Sequence, residues 1–311
     1  MASLGASSSP PPAPRLLVDA SSLPAGATRY AYVLRHYRNP AHAAHATPLL
    51  LAASSLGSLH NETLNVASHL FPGLAAVLVL LPHLLARPGL AQASLEARLA
   101  PVLSCGGSAG MLLASAAAHA LHPLSPRAAE FLWRVDLLAI MVNLLCRQYQ
   151  DCYLLVGVHD LRSFYALQLG ACLLVAALFR EVMKGRFILS NIMGVYACVP
   201  MLGLLIVEAH GAGAEAAAAR GVDVAALRAA VEGLGLCTFF AVFGNSLYWA
   251  QLPDRVFPPG SLDLVGNSHH ILHITSAIAC YHGAVASQHI PAYEASVWRA
   301  AGVAGPRGLW R

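Results

Sequence analysis

The sequence predicts an all-α integral membrane protein: a bundle of seven transmembrane helices with its N-terminus in the cytosol. Two observations carry the prediction. Hydrophobic residues make up 57% of the 311 positions and charged residues only 11%, with a mean hydropathy of +0.58, whereas a soluble domain carries near ~25% charge. Seven apolar segments, each close to the ~20 residues that span a bilayer as a helix, follow one another along the chain. The basic residues add a weaker, orienting signal. Of the 19 lysines and arginines, ten fall on the side that holds the N-terminus, six in the opposite loops and three in the C-terminal tail, a bias that favours N-inside.

Residues 1–15 are small and proline-rich and read as a disordered tail without the basic-then-apolar order of a cleavable signal. Residues 16–64 are mixed. They hold Arg29, Arg35 and Arg38 with Tyr30, Tyr32 and Tyr37, suiting either an amphipathic helix at the membrane surface or a packed extension. His60-Asn61-Glu62-Thr63-Leu64-Asn65 then supplies helix-start chemistry, since Asn and Thr side chains accept from unpaired amides.

The apolar segments fall at 65–86, 100–121, 131–155, 163–180, 187–207, 229–250 and 268–288. Together they make a membrane domain over 65–288, followed by a short tail over 289–311. The third is unusual in carrying Asp136 near its start and Arg147, Gln148 and Gln150 towards its end. No segment shows a repeated polar face, so a pore finds no support. The seven cysteines are odd in number and lack a CxxC pair, reading as small core residues. The basic residues form no stripe, which excludes nucleic acid as a partner.

Chemistry concentrates in two places. His269 and His273 stand four apart, one turn along a single helical face, where two imidazoles can share a metal ion. His270 is rotated off that face. The bland alternative for the pair is interhelical hydrogen bonding. The second place joins Ser115 and His119, also four apart, to Asp136, whose carboxylate at the entrance to an apolar helix is costly unless it has a partner. These are candidates for a third ligand and its support. Against that, His119 and His122 could sit among headgroups, with Asp136 paired to Arg134 or Arg127.

The order of the short motifs resembles the progestin and adipoQ receptor family, related to the hemolysin III proteins. The motifs are His60-Asn61-Glu62-Thr63-Leu64-Asn65 with Ser68-His69-Leu70, Ser115-x-x-x-His119, Asp136, Pro253-Asp254-Arg255-x-Phe257-Pro258, and Gly266-Asn267-Ser268-His269-x-x-x-His273. The likeness runs from about His36-Tyr37-Arg38 to the last apolar segment.

The resemblance implies a seven-helix receptor-like fold with a cytosolic N-terminus, and a zinc ion near the cytosolic helix ends held by His119, His269 and His273. It places Ser115 and Asp136 beside the metal, Asp136 as the partner of a zinc-bound water. It also implies either hydrolysis of a ceramide-like lipid amide or non-enzymatic reception of a steroid, lipid or protein hormone with structural zinc. Membrane lipids are the expected partners, in the plasma membrane or an internal one. The chain departs from the family where His270 replaces a frequent Gln, where Val66-Ala67 replaces Ile-Trp, and where Leu137 replaces the common Tyr after Asp136. Asn61-Glu62-Thr63 is an N-glycosylation acceptor that the N-inside orientation leaves unmodified.

Overall fold

The computed structural model describes residues 16–23, 32–43, 47–184 and 218–303. The segment expected at 187–207 lies outside them. Each of the other six expected segments is a helix. They are α2 (Thr63–Leu85), α3 (Leu95–Leu121), α4 (Pro126–Cys152), α5 (Leu161–Met183), α6 (Val224–Ala250) and α7 (Ser268–Ala286). A shorter helix, α1 (Pro48–Gly57), precedes them and α8 (Ile290–Ala300) follows.

Three helices begin about five residues before their apolar runs because a polar side chain caps each one. Ser94 Oγ accepts from the Ala97 amide at 3.0 Å, Ser125 Oγ from Ala128 at 3.1 Å, and Asp223 Oδ1 from Ala226 at 2.9 Å. A cap satisfies one of the four orphan donors of a helix start, and the polar first turn it recruits adds nothing to hydropathy. The start of α2 departs from the expected capping. Asn61 caps nothing; instead Thr63 Oγ1 accepts from the His60 amide at 2.8 Å, and His60 Nδ1 accepts from the Glu62 amide at 3.1 Å.

Four of the described helices are long and apolar enough to cross a membrane: α2, α3, α5 and α6. Their apolar side chains, such as Leu78, Val79, Leu169, Leu173, Phe239 and Val242, are exposed, as hydrocarbon solvent allows. By contrast α4 and α7 carry their polar residues inward: Asp136, Asn143, Gln148, Gln150 and Asp151 on α4, and His269, His270 and His273 on α7, are all buried. One helix also has the repeated polar face that its sequence did not suggest. Ser104, Ser108, Ser115 and His119 of α3 are spaced four, seven and four apart, and all are buried. The stripe faces neighbouring helices: Ser108 Oγ donates to Asn143 Oδ1 of α4 at 3.2 Å.

Glycine sets how close α6 comes to α7. A Cβ added at Gly244 would lie 1.8 Å from Thr275 Oγ1, and one at Gly233 would lie 2.8 Å from Ala286 Cβ. Only a hydrogen fits at either point, so the backbones meet closely, which fixes α7 in place.

Of residues 16–64, the described part before α1 includes a small packed ribbon. Leu17–Val18 pairs antiparallel with Tyr37–Arg38, and Val33, Tyr37 and Arg38 are buried. At the other end, residues after 288 continue as α8, started by Pro291 at a position that needs no amide donor. There Glu294, fully buried, accepts from the Ser94 amide at 3.1 Å and from the hydroxyls of Ser94 and Tyr153. The six described cysteines are all free, four of them buried.

Candidate metal centre

The triad is assembled from two helix ends. His119 occupies the last turn of α3, and His269 and His273 the first turns of α7. Two side chains set the start of α7: Asn267 Oδ1 accepts from the His270 amide at 3.0 Å, and Asp254 Oδ2 accepts from the Ser268 amide at 2.7 Å. Both complement the positive end of the helix.

Within this frame the three imidazoles converge. His269 Nε2 lies 3.5 Å from His119 Nε2 and 3.1 Å from His273 Nε2. The three residues are buried, and one ligand atom from each lies within 4.8 Å of the others. A tetrahedral zinc with bonds of about 2.0–2.1 Å holds neighbouring ligand nitrogens about 3.3 Å apart. The two nitrogen separations bracket that value.

Glu62 decides the tautomer of His119. Its Oε2 lies 2.7 Å from His119 Nδ1 and accepts at 2.6 Å from Asn65 Nδ2. A carboxylate holding Nδ1–H leaves Nε2 with its lone pair free to bind, the carboxylate–histidine–metal arrangement. Burial alone would raise the Glu62 carboxyl, but the adjoining His119 imidazole holds it well below the usual range. Three buried imidazole nitrogens at this spacing, one of them held in the metal-binding tautomer by Glu62, form a donor set that fits a metal ion.

The remaining candidates are placed as follows. Ser115 is buried one turn before His119 on the same face of α3, about 6 Å along the axis. Asp136 is buried on α4, while Arg134 pairs outside with Glu130. His69 is buried, stacks on His273 with ring centroids 3.9 Å apart, and lies 3.1 Å through Nε2 from the His273 carbonyl. His270 turns away, its Nε2 3.0 Å from the Asn61 carbonyl. His122 points back to the backbone, its Nδ1 3.1 Å from the His119 carbonyl.

Sequence reasoning missed Glu62 by treating its motif as a helix start. A signal was present: a carboxylate directly before an apolar helix needs a partner, by the same argument that singled out Asp136. Asn61, the glycosylation candidate, is 3% exposed, which leaves no room for a glycan in this fold.

The haemolysin-III-related family profile matches residues 57–282, a stretch that contains Glu62 and all three histidines of the triad. The chain belongs to the haemolysin-III-related family. Among its relatives is an ADIPOR-like receptor, IZH1, of Eremothecium gossypii, 27% identical over 257 residues that cover 74% of this chain and 73% of the relative. Another is heptahelical transmembrane protein 1 of Arabidopsis thaliana, 25% identical over 260 residues covering 78% of this chain and 71% of the relative. Both names agree with the resemblance to the progestin and adipoQ receptors. Membership makes this haemolysin-III-related chain an integral membrane protein with a helical-bundle fold.

Proposed function

We propose that this protein is a zinc-dependent membrane hydrolase that cleaves a ceramide-like lipid amide into a fatty acid and a sphingoid base. The observation that supports it most is the convergence of three buried histidine nitrogens, one of them oriented by Glu62. Three protein ligands are the number found in catalytic zinc sites, which keep a fourth position open, whereas structural sites use four. A bound zinc would supply Lewis acidity and an activated water at neutral pH.

The chain's own groups have separable roles in this reading. His119, His269 and His273 hold the ion, and Glu62 keeps His119 in the binding tautomer. Asp136 is the general base and then the acid, taking the proton of the attacking water and returning it to the leaving amine nitrogen. Ser115 donates a hydrogen bond to the substrate carbonyl oxygen, where negative charge develops. The surrounding helices exclude bulk water, which strengthens each of these interactions.

The name of the Eremothecium relative, an ADIPOR-like receptor, favours a second reading. There zinc is structural, pinning α3 to α7, and a steroid, lipid or protein hormone shifts the bundle between two states. Purified protein in ceramide-containing detergent micelles separates the two. Hydrolysis predicts fatty-acid release that falls at least ~100-fold in Asp136→Asn, the scale of a lost general base, with zinc content unchanged. Full zinc occupancy with no release from any ceramide, together with saturable hormone binding, would establish the receptor reading.

A further inference from the structure

His119 stands on the final turn of its helix, where backbone carbonyls have no intrahelical donor and ends fray. A ligand there needs something to hold its turn: besides His122, whose Nδ1 lies 3.1 Å from the His119 carbonyl, a cationic side chain 81 residues earlier donates to it. The guanidinium of Arg38, buried at 7% exposure, donates through Nη2 to the His119 carbonyl and through Nη1 to the Ala120 carbonyl and Ser55 Oγ. Ser55 Oγ in turn lies 3.3 Å from the same Ala120 carbonyl. A forked cation on the last carbonyls both satisfies them and opposes the negative end of the helix dipole.

The strand that delivers Arg38 is tied to the rest of the site as well. The Leu34 and Arg35 amides donate to the two carboxylate oxygens of Asp263 at 3.1 and 2.8 Å, and the Gly260 amide donates to the Tyr32 carbonyl at 3.0 Å. Asp263 and Gly260 lie in the loop that leads into α7, which carries His269 and His273. Between these anchors His36 takes a left-handed backbone, φ 65°, and its carbonyl accepts from the Asn61 amide at 3.1 Å, next to Glu62. One short stretch, residues 32–38, is thus hydrogen-bonded to the His119 turn, the Glu62 turn and the approach to α7.

We infer that Arg38 is a positioning residue of the triad, and that its strand couples filling of the metal site to the order of the surface outside the membrane. The inference rests on the reading of the triad as a zinc site. Coupling is reciprocal: if the strand helps to set the ligands, an ion on the ligands must help to hold the strand.

The test uses the full-length protein in detergent, zinc alone as the probe with a competing chelator, and cobalt as a spectroscopic substitute. Arg38→Gln is expected to weaken zinc affinity at least ~10-fold, the usual scale for a group that orients a ligand, and to alter the tetrahedral cobalt absorption. Arg38→Lys, which keeps the charge but loses the fork, is expected to recover part of the loss. Arg134→Gln, which removes an arginine on the exposed side, should bind as the wild type does. In the wild type, zinc should slow hydrogen exchange at the Leu34, Arg35 and Asn61 amides, and in Arg38→Gln that protection should be lost.

Wild-type affinity and cobalt spectrum in Arg38→Gln would overturn the assignment while leaving the zinc site standing. The same holds if both variants bind equally weakly and the apo forms also melt lower, since that pattern marks a merely structural residue. A wild-type chain that takes up no zinc would remove both readings together.

Discussion

Glu62 Oε2 lies 2.7 Å from His119 Nδ1, both side chains buried, joining the entrance of α2 to the last turn of α3. The contact turns a costly carboxylate into the group that sets a ligand's tautomer. Glu62→Gln removes the charge but keeps the length, and it can present either an oxygen or an amide nitrogen to Nδ1. Zinc affinity, measured by chelator competition, is expected to fall about 10–100-fold, with the α-helical circular dichroism unchanged.

The three histidines should act as a set. Elemental analysis of the purified chain is expected to give about one zinc per molecule, lost in His119→Ala and in His273→Ala. His270→Gln should retain the metal, because that ring turns to the Asn61 carbonyl 3.0 Å away. Its cost should appear as lower thermal stability, since His270 is fully buried and substitution disturbs a paired polar group. Equal metal content in all variants would overturn the ligand assignment.

Packing between α6 and α7 should be as sensitive as the ligands. In Gly244→Ala the new methyl meets Thr275 Oγ1 at 1.8 Å and Thr275 Cβ at 3.0 Å, so α7 must move outward. Overpacking of this kind costs about 1–3 kcal/mol. The movement carries His269 and His273 with it, and both the melting temperature and the zinc affinity should drop. The double variant Gly244→Ala, Thr275→Ala relieves the closest contact and should regain part of both.

Acid should loosen the turn that precedes α2. His60 Nδ1 accepts from the Glu62 amide at 3.1 Å and its Nε2 faces the Ser55 carbonyl at 3.2 Å, an arrangement that requires the neutral ring. Burial, followed by the charge of Arg38, pushes its pKa from 6.5 down to about 4. An unfolded histidine takes up its proton near ~6.5, so between these values the unfolded chain binds more protons and stability falls as pH falls. Melting of the metal-free protein should therefore decline from about pH 6.5 towards pH 4, and His60→Gln should flatten that slope.

The membrane class and, among the described residues, the helix positions were legible in the sequence because both depend on local quantities. Hydrocarbon length sets the size of an apolar run, and runs near ~20 residues can be read off directly. Residues 163–180 became Leu161–Met183, and residues 268–288 became Ser268–Ala286. Helix starts were less legible. Ser94, Ser125 and Asp223 begin their helices with side-chain hydrogen bonds, which leave no mark on hydropathy. Residues 16–64 were ambiguous for a different reason: their mixture of arginine and tyrosine suits a membrane surface and a packed ribbon equally.

The sequence by itself determined the helical membrane architecture and the four-residue spacing that puts His269 and His273 on one face, since 3.6 residues per turn needs no tertiary information. Only the tertiary structure decided which distant groups meet them. Convergence of His119 with the pair depends on α7 being set by its close glycine contacts with α6 and by Asp254 and Asn267 at its start, and on Arg38 at the end of α3. Glu62 and Arg38 lie 57 and 81 residues from His119 in the chain. Their roles come from hydrogen bonds that exist only once those segments fold against one another.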